Sequence, residues 1–576
     1  MKQNILIWGA GKIGRGFLGD LFHQAGYSLT FVDSNKVLVD TLNARPAFTI
    51  NNCDNDGRSV SVNVSDYAAL HTTQRDAIMA LFKDCQLMGI AVPPEAFPEV
   101  AEILYAELRE RMALKIDKTL DVIVCANMFD PARKLFDQLE PRLSFDEKAY
   151  CNRYFGFVSA LTRRLAIDPD DAQRAKDPLA VVTNGYPELP VDKKAFKGGL
   201  PPVKGLAFVD NLPILELRKY YTYNMLHAVF AYMGYYRGHT FAYESIADPF
   251  VMQTARGALD EIGQTLMEVC GFSEADTCEW NEAAIKLLDN PVLKDTLVRL
   301  GADTARKLGK SERLTGPALM CREHGIWPYY LTKAIAYAFL FAPESDKKSQ
   351  MVSEYARVYG VKEAAKRYCG LENEPELLEL IKQHYDRVNR DTELEDDVKV
   401  ALMKRAYNLG FFCEKKYRGC AQGTLDALFQ LTGRVDEALF QSASGFSGGM
   451  AICGDGVCGG YAGGVMYMGS CVGRRYYQMM KDGDKQAQYA SYDMAQRLHD
   501  RLLETYGTVT CRDIHKQIFG RDYCLRTKAV REDFESAGAH TTKCTNVVGT
   551  ASAYVAEILY DTGYIDKTTL EKEIKQ

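Results

Sequence analysis

The stretch RKYYTYNMLHA, residues 218–228, places one lysine inside a run of aromatics, with an asparagine and a histidine at set distances behind it. Read as one continuous helix, at about 100° per residue, it puts Lys219, Asn224 and His227 on one flank beside Tyr220 and Tyr223. A lysine desolvated there loses part of its charge as its pKa falls toward neutrality, and it can then give or take a proton. The alternative is a lysine that runs its methylenes past the tyrosines to reach water. Which of the two holds depends on what the rest of the chain places around it.

The chain opens with NILIW, an apolar run that suits a buried strand, followed by GAGKIG, with Gly9, Gly11 and Gly14 in GxGxxG spacing. A helix-like RGFLGDLFHQAGY comes next, then SLTFVD, a second strand ending in Asp33, nineteen residues after Gly14. Strand, glycine turn, helix, strand and acid in this order predict a dinucleotide site. Gly9 permits the tight turn, Gly11 lets backbone approach a pyrophosphate, and Gly14 lets helix and strand pack. Ala10, Lys12 and Ile13 complete the turn whose N–H groups face the phosphates. Asp33 would accept from ribose hydroxyls and repel a 2′-phosphate, which favours NAD over NADP. Further strands are expected at 86–92 and 121–127, alternating with helices, as in a doubly wound sheet. Val92, Pro93 and Asn127 then fall at strand C-termini, where such sheets bind ligands; for Asn127 a turn cap is the other reading.

At 576 residues the chain has room for roughly three to four domains. Its net charge of −6 gives no footprint for nucleic acid. No secretory signal is visible at the start. GFSGGMAICGDGVCGGYAGGVMYMGS, residues 445–470, carries GxxxG spacing at Gly456, Gly460 and Gly464. Asp455 in its middle and the abundance of glycine argue against a membrane span and for closely packed backbones. The sixteen cysteines imply reduced thiols and a cytoplasmic protein. Eight of them lie in the much shorter stretch 390–576, which suggests a separate domain with its own chemistry.

From about 187 the chain is loop-like, PELPVDKKAFKGGLPPVKGL, and reads as a linker or domain edge. Beyond it, 212–385 shows the three-to-four spacing of an almost wholly helical region. The expected architecture is therefore an α/β Rossmann-type doubly wound sheet in 1–195, an all-α substrate domain in 196–388, and a third, mainly α, cysteine-rich domain in 390–576. A nucleotide domain followed by a helical one implies a substrate cleft that the Lys219 helix would face.

WGAGKIGRGFLGDLF, VCANM, VDNLPILELRKYYTYNMLHA, DNPVL and ERLTGP together resemble the polyol-specific long-chain dehydrogenases over about residues 1–388, and most of all their branch acting on mannitol 1-phosphate. The resemblance implies an NAD-dependent enzyme with Lys219 as general acid/base, Asn224 polarising the carbonyl, His227 contacting substrate and Asn127 at the oxyanion position. The family's usual Thr-Gly within this motif is Met225-Leu226 here, a departure that can reshape the pocket. The implied reaction interconverts fructose 6-phosphate and mannitol 1-phosphate, with no metal in this part of the chain. Arg313, Lys310, Arg237 and Lys204 are the candidates by type for the phosphate. A hexuronate such as fructuronate or tagaturonate, or unphosphorylated fructose and mannitol, is the alternative substrate; an NADH- or redox-sensing protein without turnover is the alternative class. The oligomeric state stays open.

Beyond the charged boundary RVNRDTELEDDV, residues 387–398, the chain resembles the small redox proteins named for a C…GCAxxG…C…C pattern, over about 400–560. Cys413, Cys420, Cys458 and Cys511 match the named cysteines and Cys544 a further one, although GCAQGT has its glycine at 423, one position early. Cys420, Cys458, Cys511 and Cys544 can bind an iron–sulfur cluster or another metal. They can equally form dithiol–disulfide couples, or simply be small buried hydrophobes.

Overall fold

The computed structural model describes residues 3–54, 58–388, 394–482 and 485–571. Six strands form one parallel sheet: Asn4–Trp8, Ser28–Asp33, Tyr67–His71, Leu87–Ile90, Leu120–Val124 and Phe155–Ser159. Counted along the chain, their order across the sheet is third, second, first, fourth, fifth, sixth, and every neighbouring pair is parallel. This is the doubly wound order in which the crevice opens at the strand C-termini beside the first strand. Apolar runs such as NILIW and LDVIV are buried on both faces of the sheet, as expected where helices cover both.

The turn after the first strand is built on two glycines. Gly9 has φ +98°, and a Cβ there would stand 2.5 Å from the Ala91 carbonyl oxygen. A Cβ on Gly14 would stand 1.8 Å from the carbonyl oxygen of Gly9. A Cβ on Gly11 would meet nothing within 4 Å. The helix that follows is wider than expected: Gly14–Gly19 is a π-turn, and α-helix resumes at Asp20–Gln24.

Two expectations change. The segment read as a linker contributes Leu189–Asp192, which pairs in parallel with Leu206–Val209; its prolines and glycines bound these strands instead of dissolving them. A second, four-stranded sheet contains Ala47–Cys53, Ser59–Ser65, Ala166–Ile167 and Val181–Thr183.

By packing, the chain divides into two compact units, 1–220 with 283–295, and 221–282 with 296–576. The first unit takes in the DNPVL segment because Asn290 donates to the Cys53 carbonyl at 3.1 Å and Leu293 packs on Cys53 and Val182. Of the region set apart as 196–388, residues 196–220 and 283–295 fall in the first unit, and the remainder shares the second unit with the cysteine-rich region. The boundary at 387–398 lies partly outside the described residues. Trp327 packs on Tyr407 and Tyr554 at ring distances of 4.6 and 6.4 Å. Tyr506 donates to Glu376 at 2.7 Å, and Lys404 meets the buried Glu261 at 3.0 Å. Among the described residues no helix is long and apolar enough to cross a membrane.

These glycines generate a stability prediction for the turn. Gly14→Ala forces a methyl into a backbone carbonyl and should cost about 1–3 kcal/mol, whereas Gly11→Ala should stay within about 0.5 kcal/mol of wild type. Denaturant unfolding of the two variants checks this, and equal losses would contradict the geometry.

Candidate active site and cysteine cavity

The glycine turn holds the residues expected to bind dinucleotide. Asp33 ends its strand with both oxygens on backbone donors: Oδ2 accepts from Ala10 N–H at 2.7 Å and Oδ1 from Asn35 N–H at 2.8 Å. Each oxygen keeps a lone pair for a further donor. Val92 lies against Gly9, with its Cγ1 2.8 Å from where a Cβ would stand. Ile13 packs on the core below the sheet, and Lys12 makes an exposed ion pair with Asp168 at 2.9 Å. The open space over Gly11 and the spare lone pairs of Asp33 fit a dinucleotide. Arg15 was missed by sequence reasoning. It is buried and donates to the Ala10 carbonyl. Burial lowers its pKa, while Asp33 is the first of the charges acting the other way.

At the end of the same sheet, three residues beyond the strand Leu120–Val124, Asn127 meets Lys219: Nζ donates to Oδ1 at 2.8 Å. Lys219 is 5% exposed. The helix Leu212–Tyr221 that carries it also presents Glu216 one turn earlier, which sequence reasoning missed. Glu216 is 4% exposed, and its Oε2 accepts from Asp130 N–H at 3.2 Å. Burial pushes its pKa up to about 7, against the pull of the Asp130 N–H and the Lys219 charge. Phe129 and Tyr220 close this corner, with ring centroids 4.4 Å apart. The lysine therefore faces an amide oxygen and a carboxylate of shifted pKa, a set suited to proton transfer.

Asn224 and His227 lie in the second unit. The continuous helix assumed from the sequence is interrupted: one helix ends at Tyr221 and the next runs Tyr223–Tyr236, with Thr222 at φ −116°, ψ −72°. The Trp280 indole N–H donates to the Thr222 hydroxyl at 2.8 Å and fixes the break. A single helical wheel therefore does not relate Lys219 to Asn224 and His227. Met225 and Leu226, the departures from the family motif, are fully buried in the helix core, and His227 stacks at a tilt on Tyr223 with centroids 4.7 Å apart.

Of the phosphate candidates, Arg237 is held by Asp248 at 3.0 Å, and Lys204 and Lys310 are exposed. Arg313 is buried next to Glu312, at 3.3 Å. It belongs to a cationic group: Lys307 is pushed down to about 7 by burial and by the nearby charges of Arg313, Arg306 and Arg299.

The cysteine-rich segment builds a cavity of about 650 Å³ lined by Cys420, Cys458, Cys511 and Cys544. Three of the four stand at helix N-termini: Cys420 and Cys511 open the helices Cys420–Thr432 and Cys511–Phe519, and Cys458 precedes Gly459–Val472, whereas Cys544 continues from the π-turn Ala539–Lys543 into Cys544–Asp561. An antiparallel bridge between Val457 and Thr510 joins two of these termini. In it Cys458 N–H donates to Val509 O at 2.7 Å and Cys511 N–H to Gly456 O at 3.0 Å. Glycine allows the close approach. A Cβ on Gly459 would stand 2.2 Å from Cys420 Sγ, and one on Gly463 2.5 Å from the Ala421 carbonyl oxygen. Burial pushes all four thiols up. Cys413, matched by the pattern, lies elsewhere, its thiol 3.1 Å from Asp426.

His515, one turn after Cys511, was missed although the i, i+4 spacing in CRDIH announced it. Its Nε2 lies 3.6 Å from Cys511 Sγ and 3.8 Å from Cys544 Sγ. Among the described residues no group of three or more His, Cys, Asp or Glu side chains is arranged to hold a metal ion. The donor types suit a metal, but their arrangement around the cavity does not fit one.

Residues 3–205 match the mannitol dehydrogenase Rossmann domain and residues 211–404 the mannitol dehydrogenase C-terminal domain. Residues 419–558 match the redox-active protein family C_GCAxxG_C_C. Among solved structures, mannitol 2-dehydrogenase of Pseudomonas fluorescens, in a ternary complex with NAD and D-mannitol, shares the fold at a TM-score of 0.58 and 16% identity, over 68% of this chain and 92% of that one. A substrate-free D-sorbitol dehydrogenase does so at 0.58 and 14%, over 68% and 93%. Over residues 3–404 the chain thus belongs to the mannitol dehydrogenase family of NAD-dependent oxidoreductases, and over 419–558 it carries a C_GCAxxG_C_C redox-active domain.

Proposed function

We propose that residues 1–404 form an NAD-dependent polyol-phosphate dehydrogenase that interconverts fructose 6-phosphate and mannitol 1-phosphate, with Lys219 as acid/base. The observation that carries this reading is the buried Lys219 ammonium donating to Asn127 at the carboxyl end of the sheet that bears the glycine turn. Gly9, Ala10, Gly11, Lys12, Ile13, Gly14, Asp33 and Val92 hold the cofactor, whose nicotinamide, when bound, supplies the hydride.

In the reducing direction negative charge grows on the substrate's carbonyl oxygen. Asn127, whose Oδ1 accepts from Lys219, takes the oxyanion position that the family resemblance gives it, where an amide donor is often worth about 3 kcal/mol. Lys219 delivers the proton, and in the reverse direction its neutral amine removes it. Glu216 governs how readily it does so: the carboxylate favours the ammonium form, and the protonated acid does not. Asn224 and His227 keep the roles that the family resemblance gives them, carbonyl polarisation and substrate contact.

The cationic group of Arg299, Arg306, Lys307 and Arg313 supports a phosphorylated substrate. Arg306 lies on Asp303 at 3.1 Å and Arg313 on Glu312 at 3.3 Å, and a dianionic phosphate would relieve the repulsion that, after burial, depresses Lys307.

NADH oxidation with fructose 6-phosphate, fructose and fructuronate in parallel tests the assignment. Fructose 6-phosphate should be preferred, and Arg313→Ala should raise its KM at least about tenfold while sparing fructose. Preference for fructuronate would move the substrate to a hexuronate; no turnover with any ketose despite NADH binding would move the protein to a sensor. Lys219→Ala should keep NADH binding and lose at least about a hundredfold in kcat; near-normal turnover would remove its role.

Glu216 titrates near pH 7, so the pH profile of kcat/KM should carry an inflection there. In Glu216→Gln that inflection should vanish. The lysine's own transition should move to lower pH, because the ammonium has lost an anionic neighbour. An unchanged profile would contradict this coupling.

A further inference from the structure

We propose that the cysteine cavity is a thiol–disulfide exchange site for a small, largely apolar organic disulfide, with Cys544 as attacking thiol, Cys511 as resolving thiol and His515 as the proton acceptor between them. This is independent of the dehydrogenase reading, and it assigns residues and a ligand class that the redox-active family description leaves open.

The cavity has the size of a small-molecule site, and its walls are apolar: Ile514, Leu525, Phe534, Val547 and Val548. Most charged groups at its rim are engaged, Arg418 with Glu535 at 2.9 Å, Lys528 with Glu532 at 3.7 Å and Arg531 with the Leu525 carbonyl at 2.9 Å. An uncharged ligand is therefore favoured over an ion.

His515 is 3% exposed and fixed among Phe519, Tyr523 and Phe534, with centroids 5.4, 6.0 and 5.1 Å away. Its Nε2 lies within contact of both sulfurs, and its Nδ1 is buried without a hydrogen-bond partner. Burial lowers its pKa to about 4, so it rests neutral and holds a proton taken from a thiol only transiently, while the sulfur attacks. Glu414, 2% exposed, also lines the cavity, with its Oε2 unpartnered. Buried polar atoms left in this state commonly mark a functional site. One wall stores backbone strain as well: Met450, Ala451 and Ile452 have φ of +64°, +50° and +57°.

Both thiols face the cavity and lie against His515 Nε2, and the proposed order of attack is the one that the Cys511→Ser variant tests. The Cys544 thiol passes its proton to His515. The thiolate is stabilised by pairing with the imidazolium. It attacks one sulfur of the disulfide RSSR, forming a mixed disulfide and expelling RS⁻, which takes the proton from His515. Cys511 then loses its proton to His515 and attacks the Cys544 sulfur, expelling the second RS⁻, which is protonated in turn. Two protein thiols are oxidised to one disulfide, and RSSR is reduced to two RSH. An external dithiol completes a cycle.

The test treats the full-length, fully reduced protein with bis(2-hydroxyethyl) disulfide, alkylates the remaining thiols and maps all cysteines by peptide mass spectrometry. Exposure alone would direct the reagent to Cys278 and Cys524, the two exposed thiols. The proposal expects a Cys511–Cys544 cross-link ahead of modification at either. Cys511→Ser should instead accumulate a mixed disulfide at Cys544, and His515→Gln should slow cross-linking at least about tenfold. Mixed disulfides confined to Cys278 and Cys524, or stoichiometric iron and sulfide in anaerobically purified protein, would overturn it.

Discussion

An ammonium group removed almost entirely from water has to be compensated on the spot, and the first unit is arranged around that requirement at Lys219. Removing a buried charge from its partner costs several kcal/mol, so the lysine depends on what its neighbours present. Asn127 offers an amide oxygen because the fifth strand of the sheet ends three residues earlier. Glu216 offers a carboxylate because it stands one turn back on the same helix, where the Asp130 N–H fixes it. The parallel sheet that delivers Asn127 also delivers the glycine turn and Asp33, all at strand C-termini. The proposed proton-transfer group and the proposed cofactor turn are thus positioned by one element.

The cysteine-rich segment uses another device, convergence of helix ends. Helices whose first turns carry thiols meet around one cavity, and glycines at 459, 460, 463 and 464 let the middle helix pack closely on its neighbours. Partial positive charge at the helix N-termini of Cys420, Cys458 and Cys511 favours sulfur as thiolate, while at Cys544 burial, then the charge of Glu414 and the neighbouring sulfurs, oppose it. The balance keeps the thiols protonated until a base acts. The segment is not a loose appendage: its contacts with Glu261, Trp327 and Glu376 join it to the preceding helices in one packed unit.

Much of this was legible in the sequence, for reasons that can be traced residue by residue. The glycine turn and Asp33 were readable because their spacing is fixed by local geometry. Lys219 stood out because a lysine among aromatics is unusual, and Asn127 because it follows an apolar strand. Glu216 was not readable, since an acid on a helix is normally solvated and only the tertiary fold buries this one. The break at Thr222 was hidden because nothing in YYTYN resembles proline or glycine; the hydrogen bond from Trp280 that holds it is long-range. The strands at Leu189–Asp192 and Leu206–Val209 were hidden by prolines and glycines that lie at their edges. Cys413 fitted the motif and yet faces Asp426, because the pattern records spacing and not direction.

The central claim is that reducing equivalents pass directly from nicotinamide to the keto carbon, with Lys219 supplying only the proton. The most direct measurement is to reduce fructose 6-phosphate with NADH deuterated at C4 and locate the label in the product by NMR. The account predicts deuterium bound to carbon at C5 of mannitol 1-phosphate, the carbon that was C2 of fructose 6-phosphate. Product carrying no deuterium, because the equivalents have passed through exchangeable sites such as the cysteine thiols, would contradict it.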